Sequence, residues 1–73
     1  MTLNQLQKGD FATVEKLIES DLTPRLIDMG FYEGQRVEML FRAPLGDPLA
    51  VEVGEVVLSL RREEASLVIV SGE

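Results

Sequence analysis

The chain reads as a mainly β domain, a small, partly open barrel of about five short strands with one short α-helix between the first two. Three observations predict it. Apolar and polar residues alternate in several short stretches, such as Leu49, Val51 and Val53 against Ala50 and Glu52. Strong turn signals separate those stretches, above all Pro44-Leu45-Gly46-Asp47-Pro48 and Gly54-Glu55. A lone Thr23-Pro24 start followed by Gly30 brackets a short helix.

The stretch over 41–49 organises the rest. Pro44 has its φ set for the second position of a tight turn, Gly46 suits the fourth, and Pro48 pushes Asp47 into an extended conformation. The chain must reverse here. Pro48 is expected to open the next strand, where a missing backbone N–H does least harm.

Before the corner, Leu3 and Leu6 share one face of a helical turn expected to cover a barrel end, and Lys8-Gly9-Asp10 is a turn. Residues 11–18 form strand one, with Ala12 and Val14 alternating against Thr13 and Glu15. The Thr23 hydroxyl is expected to cap the helix, with Pro24 at its first position. Leu22, Leu26 and Met29 then fall on one stripe that faces the core, since so short a helix needs the sheet to persist. A loop through Phe31-Tyr32-Glu33-Gly34 leads to strand two, where Val37, Met39 and Phe41 alternate with Arg36, Glu38 and Arg42.

After the corner, strand three pairs with strand four over 56–60 as a hairpin. Arg61-Arg62-Glu63-Glu64-Ala65 favours a helical turn, and 67–70 closes as strand five before the polar end Ser71-Gly72-Glu73. Closing a short antiparallel sheet disposes of its edges, and an SH3-like barrel fits this element order best.

At 73 residues the chain is read as one domain, 1–73. Such a domain buries only about 60% of the surface its unfolded chain exposes, so stability is modest. There is no cysteine and no histidine, which excludes disulfides and thiolate or imidazole metal staples. Thirteen acidic residues against seven basic ones give a net charge of −6, which opposes binding to a phosphate backbone. Nucleic acid is therefore not an expected partner. Met1-Thr2-Leu3-Asn4-Gln5 shows no secretory signal, and the apolar run Leu67-Val68-Ile69-Val70 is far short of the roughly 20 residues that span a bilayer. The expectation is a cytoplasmic protein with no direct membrane insertion.

Chemistry-bearing patterns are sparse. A histidine base, a cysteine nucleophile, a phosphate-binding glycine loop and a Gly-x-Ser-x-Gly elbow are all lacking, and Ser20, Ser59, Ser66 and Ser71 have no evident activating partner. Glu63 and Glu64 do not share a helix face and so make a poor metal site. The reading is a non-enzyme with no catalytic, cofactor or metal residues. Arg61, Arg62, Glu63 and Glu64 are expected to solvate a turn. Leu40, Val57 and Val68 fall out of phase with the inward residues of their strands, leaving either an exposed apolar patch or a surface covered by the helix or the N-terminal turn.

Three pieces carry a resemblance: Asp28-Met29-Gly30-Phe31 with Gly34 and Val37, then Arg42-Ala43-Pro44-Leu45-Gly46-Asp47-Pro48, then Leu60-Arg61-Arg62-Glu63-Glu64-Ala65. In order and spacing they resemble the FeoA family over residues 3–70. The resemblance implies an SH3-like barrel and a cytoplasmic accessory of bacterial ferrous iron uptake, docking on the cytoplasmic part of a FeoB-like transporter. Arg25, Phe31, Tyr32, Arg42, Leu45 and Asp47 are the candidate contacts, on the helix, the loop after it and the corner. Turn chemistry alone also accounts for the corner, and core packing competes for the two rings. A similar module ends some metal-dependent repressors, so a freestanding regulatory or peptide-binding module is the alternative. With no DNA-binding portion ahead of Met1 in this sequence, the transport accessory is the expectation. Self-association through an open sheet edge stays open.

Overall fold

The structure is a computed structural model that describes residues 1–72. Glu73, expected in the polar end, lies outside the described residues. A 3₁₀ turn, Leu3–Gln5, precedes β1 (Phe11–Leu17), α1 (Thr23–Asp28), β2 (Arg36–Arg42), β3 (Leu49–Val53), β4 (Val56–Leu60), the one-turn α2 (Arg62–Ala65) and β5 (Val68–Gly72). The strands form one antiparallel sheet in the order β4-β3-β2-β1-β5, with α1 between β1 and β2 as the sequence predicts.

Alternation decides which side chains enter the core. Ala12 and Val14 of β1, Val37 and Met39 of β2, and Leu49, Val51 and Val53 of β3 are all buried. Leu3 and Leu6 close one end of this core, α1 contributes Leu26, and α2 contributes Ala65. Leu22 and Met29, on the same stripe as Leu26, are only half-buried: they stand at the two caps of α1, outside the helix proper. Fully burying each aliphatic side chain is worth about 1.5–3 kcal/mol. The Gly54-Glu55 reversal is tight, with φ of 56° and 67°, and joins β3 to β4 in continuous register.

Several expectations are corrected by the sheet. A bulge lies between Met39 and Phe41 of β2, where Met39 pairs with Val51 and Phe41 with the next β3 residue, Ala50. The inserted Leu40 shifts the phase by one residue. Phe41 therefore points outward and is 51% exposed, while Arg42 falls opposite the inward-facing Leu49. In β5, Val68 and Val70 face the core and Val68 is fully buried, so Val68 is not part of an outer patch. Leu40 is half-buried, which leaves Val57 of that trio exposed. Strand one ends at Leu17 and β5 starts one residue later than expected. β3 begins at Leu49, with the Pro48 carbonyl accepting the Ala43 N–H at 3.1 Å. The Thr23 hydroxyl does not cap α1. It accepts the Ser20 N–H at 2.9 Å, and Leu22 stands at the cap position.

Candidate functional site

The corner is a turn of the kind its sequence demands. The Gly46 N–H donates to the Ala43 carbonyl at 2.7 Å, with Pro44 and Leu45 between them, and Gly46 sits at φ 83°, a conformation glycine adopts without strain. The Asp47–Pro48 peptide bond is cis. Leu45 at the tip is 89% exposed, the most exposed of the large apolar side chains described. An exposed single apolar residue is ordinary on a protein surface, but this one is held out on a proline-braced loop.

Two contacts fix the corner to the rest of the molecule. The Asp47 carboxylate accepts the Arg62 backbone N–H at 3.0 Å, satisfying a donor at the start of α2 that has no partner within the helix. On the strand side, Arg42 Nη1 donates to the Asn4 carbonyl at 2.6 Å and the Leu6 carbonyl at 2.8 Å, tying the N-terminal turn to the end of β2. The bulge makes this geometry available by turning Arg42 toward that turn. Between corner, N-terminal turn and α2 lies an open cleft of about 740 Å³, lined by Asn4, Asp47, Pro48, Arg61, Arg62 and Glu63 among others.

Glu64 behaves differently from the solvated residue expected of that segment: it is only 4% exposed. Its Oε1 accepts the Arg61 N–H at 2.9 Å, and its Oε2 lies 3.4 Å from Arg25 Nε. The buried carboxylate thus closes the first turn of α2 and meets the cation of α1, whose side chain remains 64% exposed. A glutamate three residues after the position preceding a short helix is a capping pattern, and that spacing was the signal available in Arg61-Arg62-Glu63-Glu64.

Of the six candidate contacts, Leu45 and Asp47 share the corner and Arg42 is anchored beside it. Arg25 reaches α2 through Glu64, so Arg25 and Asp47 meet the same helical turn. Tyr32 is an exposed ring on the loop after α1. Phe31 is a correction: it is 1% exposed and belongs to the core, where its neighbour Gly30, at φ 106°, lets the chain turn it inward. It supports the loop from beneath and offers no surface to a partner.

A family model described as the FeoA domain matches residues 1–72. The Fe(2+) transport protein A/Fe(2+) transporter FeoB fusion protein of Porphyromonas gingivalis is 33% identical over 67 residues, which are 90% of this chain and 8% of that protein. The chain therefore spans a small fraction of that relative's length. The iron(II) transport protein A of Clostridium thermocellum is similar in structure, with a TM-score of 0.92 and 36% identity, covering 99% of this chain and 45% of that one. The FeoA of Stenotrophomonas maltophilia complexed with zinc, a procaryotic SH3 domain protein, matches with a TM-score of 0.87 and 36% identity, covering 97% of this chain and 89% of that one. A manganese-dependent transcriptional repressor shares the fold, with a TM-score of 0.90 over 100% of this chain and 41% of that one, at 19% identity.

Proposed function

The chain belongs to the FeoA domain family, and on that premise we propose that it is a non-catalytic, cytoplasmic accessory of ferrous iron uptake that docks on the cytoplasmic part of a FeoB-like membrane transporter and modulates it. The observation that carries this reading is the fusion relative, in which a region similar to nearly the whole of this chain is part of one polypeptide with the transporter. Covalent linkage holds two modules at effective concentrations up to about the millimolar range, a benefit only where they engage each other. Among the described residues, no helix is long and apolar enough to cross a membrane. The docking surface in this reading is the corner and its flanks: Leu45 supplies an apolar anchor, with Asp47 in the same corner, Arg42 at the end of β2 beside it and Arg25 reaching α2, while Tyr32 lies on the loop that enters β2 at its other end.

The test is a titration of the purified protein against the cytoplasmic domain of its cognate transporter, with and without guanine nucleotide, beside the detergent-solubilised full-length transporter. Saturable binding is expected, and its nucleotide dependence reports whether docking is regulatory. If neither form binds, direct docking is wrong. The alternative, a freestanding SH3-like regulatory or peptide-binding module, would then be pursued through retention of proline-rich peptides on the immobilised protein.

A further inference from the structure

The two edges of the sheet are treated differently. At β5, the first residues of the chain lie alongside: the Val70 N–H donates to the Met1 carbonyl at 2.8 Å, and Thr2 bridges to Ile69. At the opposite edge, β4 pairs with β3 alone among the described residues. Its five residues, Val56-Val57-Leu58-Ser59-Leu60, contain no charge, no proline and no bulge, the devices that usually keep an edge from pairing.

The hairpin register says which backbone groups are free. In a two-residue hairpin the residues flanking the turn, here Val53 and Val56, form a hydrogen-bonded pair, and the pairs alternate from there. Leu58 and Leu60 therefore bond to Val51 and Leu49, while the N–H and C=O of Val57 and Ser59 point away from the sheet. Val57 is 62% exposed and Ser59 is exposed as well.

We propose that β4 is a self-complementary docking edge, on which β4 of a second copy of this chain adds antiparallel across a two-fold axis at Leu58. Charge selects this occupant. Glu55 stands immediately before β4 and Arg61 immediately after it, both exposed, so the edge favours an antiparallel guest with a cation near Glu55 and an anion near Arg61. β4 itself carries that pattern. With Leu58 facing Leu58, Val57 falls opposite Ser59 and exchanges both backbone hydrogen bonds with it. Val56 then meets Leu60, and Glu55 meets Arg61 of the second copy, twice over by symmetry. Two chains of net charge −6 repel, but beyond about 8 Å physiological salt screens that repulsion, whereas the two Glu55–Arg61 pairs lie at contact range. Leu45 at the corner tip stays outside this interface, whereas Arg61 also lines the cleft beside the corner, so the pairing reaches the margin of the proposed docking surface.

Sedimentation equilibrium of the full chain over rising concentration tests the proposal, with a melting curve confirming that each variant is folded. The wild-type chain should show a reversible monomer–dimer equilibrium. Ser59→Pro removes an N–H that no strand of the same chain uses and should abolish the dimer. Glu55→Arg and Arg61→Glu should each weaken it about tenfold, by turning two attractive pairs into repulsive ones. An equimolar mixture of those two variants should restore association, because every pair across the hetero-interface is again opposite in sign. A wild-type chain that stays monomeric to about 1 mM, or a mixture that associates no better than either variant alone, would overturn the proposal.

Discussion

The carboxylate of Asp47 caps α2 from outside the helix, accepting the Arg62 backbone N–H at 3.0 Å. The β3–β4 hairpin, through its Leu49–Leu60 pairing, brings the corner after β2 beside the helical turn after β4, and this contact fastens the two together. The proline-rich loop is positioned by α2 as much as by its own turn chemistry, and α2, at four residues, is held by groups outside it.

Removing that cap should cost stability. Asp47→Ala is expected to destabilise the domain by about 0.5–2 kcal/mol, the range for loss of a helix cap. Asp47→Asn, which keeps an oxygen acceptor at the same place, should retain most of it. Urea unfolding of both variants checks the difference, and equal losses would show that the charge, not the hydrogen bond, is what α2 needs.

Glu64 and Arg25 should respond unequally although they touch. Glu64→Ala leaves the part-buried Arg61 N–H at the start of α2 without its charged acceptor, a loss of about 1–3 kcal/mol. Arg25→Ala removes only the exposed half of the pair and should cost less than about 1 kcal/mol. Thermal melts of the two single variants and the double variant separate the shared term from the rest, and a larger loss for Arg25→Ala would reverse this assignment.

Docking and folding should separate cleanly between corner and core. Leu45→Ser changes an exposed tip and is expected to leave stability within about 0.5 kcal/mol while weakening binding to the transporter's cytoplasmic domain. Leu26→Ala, inside the core, should cost about 2–5 kcal/mol whatever its effect on binding. Calorimetric titration alongside denaturant unfolding checks both, and unaltered binding by folded Leu45→Ser would remove the corner tip from the interface.

Short-range chemistry in the chain was sufficient for much of the fold. Pro44 and Gly46 specify their turn through backbone geometry alone, Gly54-Glu55 specifies the β3–β4 reversal, and the alternation in β3 states its own inward face. Leu45 and Asp47 were legible as corner residues for the same reason. Long-range pairing settled the rest. Phe41 and Arg42 exchange faces because β2 slips by one residue against β3, and a bulge leaves no mark on the alternation that precedes it. The run Leu67-Val68-Ile69-Val70 is apolar throughout, so its phase follows only from pairing with β1, which puts Val68 inside. Phe31 is buried, and Glu64 meets Arg25, because α1 and α2 are brought together by a sheet whose strands lie far apart in the chain. A side chain's partners across the fold are a property of that packing, which no local window contains.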